Sequence, residues 1–244
     1  MEGHKEDRRQ REMQKLKYLD TRSLPAYPFA EAARYLRIPL DTLRTWVKGR
    51  YYQTEQGRQF SRPLIELTGV DAKALSFTNL VEAHVLRAIR VEHSVPLEQI
   101  RIALSFIEEE LGVAHPLTRK NLLKTDGQSI YVEHLERLLD ASRCGQIAIR
   151  ETLEVYLTRI EADEAGIATR LFPFIYPDRK DDQKLIVIDP SVSFGRPAIA
   201  GTGVPTKILA ELHEAGDSIR DLALDYDCEP ALIQAAIEYE NRAA

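Results

Sequence analysis

Apolar residues recur at helical spacing over residues 27–49. Phe29, Ala32, Ala33 and Leu36 form one face, Arg37-Ile38-Pro39 interrupts it, and Leu43, Trp46 and Val47 form a second face. A proline bars its predecessor from the α region, so the pattern predicts two short helices with a corner between them. Pro39 or Asp41 opens the second helix and Gly49 ends it. Between its inward positions lie Thr42, Arg44, Thr45 and Lys48. Short hydroxyls and long cations are the side chains that reach base edges and phosphates. A helix-turn-helix lays its second helix in the DNA major groove.

Downstream, Arg50-Tyr51-Tyr52 through Arg58-Gln59-Phe60-Ser61-Arg62, with Gly57 in the middle, has the composition of a hairpin wing, and Pro63-Leu64-Ile65-Glu66-Leu67 predicts a strand. A long helix follows, with Thr78 as its N-cap, Leu80, Val81, Val85, Ala88 and Ile89 inward, and Arg87 and Arg90 outside. Leu97, Ile100, Leu104, Ile107 and Leu111 recur at steps of three and four and predict a core or dimer-seam helix. Further helices are expected near 131–140 and over about 149–160. Pro173, Pro177 and the charged run 178–183 form a polar linker.

Beyond the linker, Leu185-Ile186-Val187-Ile188 predicts a strand. The run from Phe194 to Pro205 is dense in glycine and proline, and three helices are expected over 206–215, 218–226 and 229–240. Ser218 caps the second of these, and Pro230 sits in the first turn of the third. The expected fold is therefore mainly α with small β elements. It divides into a basic arm over 1–25, a winged helix-turn-helix over 26–74, a helical bracing or dimerisation region over 75–176, and a C-terminal β hairpin with three helices over 184–244.

Charge sharpens this division. The chain of 244 residues carries a net charge of −5, yet residues 1–62 hold 14 Lys/Arg against 8 Asp/Glu, a net of +6. Residues 206–244 set Lys207, Arg220 and Arg242 against nine acids, a net of −6. Phosphate contacts depend on cations, so the front of the chain suits DNA and the rear suits a protein partner, either a second copy or a basic protein. A helical hairpin with a merely solvated basic face is the alternative for the front. Hydrophobic content of 44% with 29% charged residues fits a globular protein of one to three small domains. No apolar run reaches the ~20 residues of a membrane helix, and the charged N-terminus lacks a signal-peptide core. With Cys144 and Cys228 far apart, a reducing, cytoplasmic location is expected. The six histidines show no metal-ligand spacing, and no nucleophile–base constellation emerges, so no enzyme activity, cofactor or metal is expected.

Two segments resemble known families. Gly195-Arg196-Pro197-Ala198-Ile199-Ala200-Gly201-Thr202-Gly203-Val204-Pro205, followed by Ala215-Gly216-Asp217-Ser218-Ile219, resembles the small C-terminal domain of VapB-like antitoxins from bacterial VapBC-type toxin–antitoxin modules. Phe29-Ala30-Glu31-Ala32-Ala33, Leu43-Arg44-Thr45-Trp46 and Leu75-Ser76-Phe77-Thr78-Asn79 are similar to MerR-like winged helix-turn-helix domains. The resemblance implies an antitoxin that occludes a PIN-like ribonuclease toxin and represses its own operon. Operator DNA, the toxin and a second copy of the chain would be its partners. Thr42, Arg44, Thr45, Lys48, Arg50, Arg58 and Arg62 are the candidate DNA contacts; Gly195, Arg196, Pro197, Gly201, Thr202, Gly203 and Pro205 are the motif residues. Many relatives carry arginine where Gly203 stands. The glycines also have a backbone reading, in which Gly201 and Gly203 supply positive φ or close approach. A phosphate cradle competes with it, although Pro205 and Thr206 precede Lys207 where a P-loop has Gly-Lys-Ser/Thr. A MerR-like regulator that senses a small molecule and has no toxin is the alternative function, and a purely structural interaction protein is a third.

Overall fold

The computed structural model describes residues 20–55, 57–67, 73–92, 97–98, 100–101, 104–105, 115–118, 155–175 and 183–243. The arm over 1–19, most of the leucine stripe beyond Leu104, the helix near 131–140 and the linker over 176–182 lie outside the described residues.

Strand β1 (Tyr27–Pro28) leads into helix α1 (Phe29–Leu36), a left-handed corner at Arg37, and helix α2 (Leu40–Lys48). Both helices bury the apolar face that their periodicity predicts: Ala32, Ala33 and Leu36 from α1, and Leu43, Trp46 and Val47 from α2. Strands β2 (Arg50–Thr54) and β3 (Gly57–Ser61) form an antiparallel hairpin that pairs Tyr51 with Phe60. Gly49 joins α2 to this hairpin at φ 71°. A Cβ there would collide with the Ser61 carbonyl and the Phe60 ring, so only glycine lets the wing fold back so closely. The expected strand over 63–67 does not form. Instead the Leu64 and Ile65 amides both donate to the Trp46 carbonyl, at 2.7 and 3.1 Å, and Ile65 is buried. The free carbonyls at the end of α2 capture this segment before a sheet partner can.

Strand β4 (Ala74–Leu75) pairs with β1 and starts helix α3 (Phe77–Arg87), which runs through the centre of the larger core. Its N-cap is Ser76 rather than the expected Thr78. Ser76 accepts the Asn79 amide while the Asn79 side chain accepts the Ser76 amide, a reciprocal capping box. Thr78 instead donates its hydroxyl to the Arg22 carbonyl. Arg87 is not outside: its guanidinium donates to the Tyr156 hydroxyl at 2.8 Å. The helix expected over about 149–160 ends earlier, at residues 155–158. Ile160 then opens strand β5 (Ile160–Ala162), paired with β6 (Ala168–Leu171). The Asp163 carboxylate accepts the Ile167 amide and closes this second hairpin, and Ile160, Ala168 and Leu171 turn into the core across a register shift in the pair.

Strand β7 (Ile186–Val187) pairs with β8 (Ala198–Ile199). Helices α4 (Thr206–Glu214), α5 (Ile219–Asp225) and α6 (Pro230–Ala243) then close over a second apolar cluster built on Leu209, Leu222, Ile233 and Tyr239. Ser218 caps α5, as its sequence position predicts. Leu171 and Ile188, both in the larger core, exchange backbone hydrogen bonds of 3.0 and 2.8 Å that tie the chain after β7 to β6. Arg159, itself buried, donates to the Phe172 and Pro173 carbonyls and packs its guanidinium on the Phe174 ring.

His84 lies on α3 in a cluster with Tyr156, on which it is tilted, and Phe174, on which it stacks, and burial pushes its imidazole down to about 3. The unfolded chain therefore binds a proton that the folded chain refuses between pH ~6.5 and pH 3. This group's contribution is fully present above pH ~6.5 and falls by about 1.4 kcal/mol per pH unit below it. Urea unfolding from pH 7 to pH 4 should show that decline in the wild-type chain, and a flatter acid limb in His84→Gln.

Candidate nucleic-acid interface

Helix α2 is short and amphipathic. With Leu43, Trp46 and Val47 inside, the remaining positions must face outward. Arg44 and Lys48 are exposed one turn apart, and Thr42 and Thr45 are half-buried beside them. Arg44 reaches Asp41 at 3.1 Å, and the Thr45 hydroxyl donates to the Asp41 carbonyl at 2.8 Å. Lys48 lies over the Phe29 ring, 5.2 Å from its centroid. The Arg44–Asp41 pair is exposed on both sides, so it is too weak to withhold the guanidinium from a phosphate or base. Arg50 and Arg58 project from the hairpin that continues α2. Arg62 stands at the hairpin's base, where the Arg101 guanidinium holds its carbonyl at 2.8 Å. The candidate DNA contacts therefore fall into a compact set on α2 and Arg50, one cation further out on the wing, and one at its foot.

The wing also carries apolar surface. Tyr51 is 61% exposed, Phe60 47% and Tyr52 40%. The Tyr51 and Phe60 rings pack at 4.8 Å, and the Arg58 guanidinium lies 4.1 Å from the Tyr51 centroid.

The C-terminal motif residues lie on either side of β8, Gly195–Pro197 before it and Gly201–Pro205 after it, rather than in a phosphate cradle. The Thr202 and Gly203 amides both turn inward to the Ile199 carbonyl, so they are not presented to a ligand. Gly201 and Gly203 do adopt positive φ, at 83° and 74°. The Ser193 hydroxyl donates to the Gly203 carbonyl at 2.6 Å, which fixes the loop against the turn before β8. In that turn Ser193, Phe194 and Gly195 all have positive φ, and Phe194 is left 93% exposed. Gly195 sits against the Tyr27 hydroxyl, where a Cβ would collide. Pro197 is buried and its carbonyl accepts from Thr206, whereas Arg196 and Thr202 are exposed and Pro205 half-buried. Beside the loop a cleft of about 350 Å³ is lined by Arg170, Phe172, Val187, Asp189 and Gly201–Gly203 among others. Burial opposes the charge of Asp189, but hydrogen bonds from Ser191 and Arg170 hold its carboxyl below the usual carboxylate range.

The residues that sequence reasoning missed join the two ends of the chain. Arg34 on α1 forms an ion pair with the buried Glu240 on α6, and Glu240 also accepts the Thr206 hydroxyl. Arg37 donates to the carbonyls of Phe174, Tyr239 and Arg242 and lies over the Tyr239 ring. Tyr239 returns its hydroxyl to the Tyr35 carbonyl. Arg37 thus serves as a cationic cap on the C-terminus of α6. The one local signal was the break at Arg37-Ile38-Pro39, which marks a corner without saying what the arginine meets.

Among the described residues no helix is long and apolar enough to cross a membrane. Residues 25–104 match a family described as a putative DNA-binding HTH domain, and residues 186–239 match a protein family of unknown function, DUF433. The chain is 30% identical over 232 residues to a Mycobacterium tuberculosis protein named putative antitoxin VapB45, covering 88% of this chain and 93% of that one. It is 25% identical over 228 residues to the uncharacterized protein Rv2308 of the same organism, covering 88% and 90%. The crystal structure of Rv2018 from Mycobacterium tuberculosis superposes with a TM-score of 0.63 at 24% identity, over 88% of this chain and 98% of that one, so the two share a fold.

Removing Arg34 leaves the Glu240 carboxylate buried beside Thr206 without its cation. Arg34→Ala should therefore destabilise the chain by about 3 kcal/mol in urea unfolding. Adding Glu240→Gln should recover part of that loss, because the double variant buries no unpaired charge.

Proposed function

The chain belongs to the family of the mycobacterial protein named putative antitoxin VapB45, and from that premise we propose that it is the antitoxin of a type II toxin–antitoxin pair. In this reading residues 26–74 bind the operator as a MerR-like winged helix-turn-helix. The C-terminal module, with its Gly195–Pro205 motif, neutralises a PIN-like ribonuclease toxin. The chain works as a homodimer in the cytoplasm and represses its own operon. The observation that carries the reading is the outward face of α2, where Arg44 and Lys48 stand exposed beside a cationic wing in a segment that matches a DNA-binding HTH family. The acidic surface of α4 to α6 supports a division of labour, since Glu211, Glu214, Asp217, Asp221, Asp225, Asp227 and Glu229 are all exposed and would repel a duplex.

On α2, Thr42, Arg44, Thr45 and Lys48 read the major groove, and Arg50, Arg58 and Arg62 hold phosphates. A second reading, a MerR-like regulator that senses a small molecule without a toxin, draws support from the cleft beside Arg170 and Asp189. Co-expression with the neighbouring open reading frame separates the two. An antitoxin restores growth against that gene product and co-purifies with it; a sensor does neither.

Arg44→Ala should weaken binding to the duplex upstream of the chain's own coding sequence by about 1–3 kcal/mol, with relaxed preference over an unrelated duplex. A gel-shift titration at fixed salt measures this, and equal affinity for wild type and variant would remove Arg44 from the reading surface.

A further inference from the structure

At the foot of the wing lies a cleft of about 520 Å³. Val47 contributes the end of α2 to its walls, residues 62–67 contribute the segment that follows the wing, and Arg101, Leu104 and Ser105 complete them. The walls are largely apolar: Val47 and Leu104 are buried, and Leu64 and Leu67 are half-buried. The segment takes this course because the Trp46 carbonyl holds the Leu64 and Ile65 amides against the end of α2. The charged groups of the lining are the guanidiniums of Arg62 and Arg101 and the exposed carboxylate of Glu66.

Arg101 is incompletely used. Its Nη2 donates to the Ser61 hydroxyl at 2.9 Å and to the Arg62 carbonyl at 2.8 Å, and its Nη1 pairs with Glu98 at 2.5 Å. Its Nε is buried and makes no hydrogen bond, and among the described residues it is the one buried side-chain nitrogen or oxygen in that condition. A buried donor on a charged group is costly to leave unmatched. Glu98 is 70% exposed and lies one helical turn away, so its pairing with Arg101 is weak and gives way to a better acceptor. A carboxylate is that acceptor, because its two oxygens match the edge formed by Nε and a neighbouring Nη with parallel hydrogen bonds.

We infer that this cleft is a binding site for a small organic acid with an apolar body. The ligand's carboxylate takes the Nε edge of Arg101, and its hydrocarbon lies along Val47, Leu64, Leu67 and Leu104. The volume is that of a site for a metabolite-sized molecule. The lining is selective. A cation would meet the guanidiniums of Arg62 and Arg101, and a sugar or nucleotide would set its hydroxyls against apolar walls without partners. Occupation also bears on the wing. Arg101 braces the wing's foot through Ser61 and Arg62, so a carboxylate bound there neutralises cationic charge beside a proposed phosphate contact and weakens duplex binding. That consequence rests on the DNA-binding reading above; the site itself does not.

The test titrates the full chain by isothermal calorimetry with straight-chain carboxylates from butanoate to octanoate, and with octanol as the uncharged control. Octanoate should bind saturably and one-to-one, affinity should rise about fourfold per methylene along the series, and octanol should bind at least about tenfold more weakly. Arg101→Gln should weaken octanoate binding about tenfold. Because Arg101 also braces the wing, Ser105→Phe is the second variant: Ser105 is exposed on the cleft, and a ring there occupies the space while leaving Arg101 in place. It should abolish octanoate binding with thermal unfolding like wild type. No saturable binding by the wild-type chain, equal affinity for octanol and octanoate, or undiminished octanoate binding in either variant overturns the inference. Saturating octanoate should also weaken wild-type binding to the duplex preceding the chain's own coding sequence several-fold in fluorescence anisotropy, and leave Ser105→Phe unaffected. Octanoate binding without that change overturns the link to the wing. A chain that binds octanoate but no duplex overturns the DNA-binding reading and leaves the site standing.

Discussion

The contact on which the arrangement of the molecule depends is the capping of one helix by a residue from the far end of the sequence. Arg37 occupies the left-handed corner between α1 and α2, at φ 54°. A non-glycine residue in that region is strained and needs its surroundings to hold it there. Here they do: the guanidinium donates to carbonyls at the end of α6 and to the Phe174 carbonyl, and it stacks on Tyr239. One residue thus ends α1 through its backbone and, through its guanidinium, satisfies the Arg242 carbonyl that the last turn of α6 leaves open. Arg34 and Glu240 fix the same two helices from an adjacent position.

This junction explains how a cationic front and an anionic rear coexist in one fold. The opposite charges meet where they are buried and paired, and the unpaired cations and acids face solvent on separate surfaces. Glu240 is the only one of the nine C-terminal acids that is buried, and it is the one with a cationic partner from the helix-turn-helix. A buried carboxylate without that partner would carry a large desolvation cost. The interior polar groups of α3 follow the same rule. Asn79 bridges Glu82 and the Glu66 carbonyl, and His115 meets Glu82 at 2.8 Å.

The wing and the glycine-rich loop show the same economy of backbone. Gly49 lets β3 lie against the end of α2, and Gly195 lets the turn before β8 lie against Tyr27. In both places close approach, rather than flexibility, is what glycine provides. The Thr202 and Gly203 amides are spent on the loop's own turn, and the side chains this segment presents to solvent are those of Arg196, Thr202 and Phe194.

The two helices of the helix-turn-helix, the hairpin about Gly57 and the three C-terminal helices with the Ser218 cap were legible in the sequence. Each is set by interactions within a few residues: an apolar stripe at period 3.6, a turn glycine, a hydroxyl before a helix. The outward residues of α2 were legible for the same reason, since naming the buried face leaves only one face for the rest. The segment over 63–67, the cap of α3, the hairpin that begins at Ile160 and the partners of Arg34, Arg37, Arg87 and Arg159 were not. Each depends on which carbonyl or carboxylate lies next to it after folding, and that atom belongs to a residue remote in sequence or to a competitor one turn away. Periodicity along the chain thus fixed the two helices of the helix-turn-helix and the three C-terminal helices, with their inward faces. Only the folded chain decided which arginines are spent on the interior, because a guanidinium looks the same in the sequence whether it will meet solvent, a phosphate or the end of another helix.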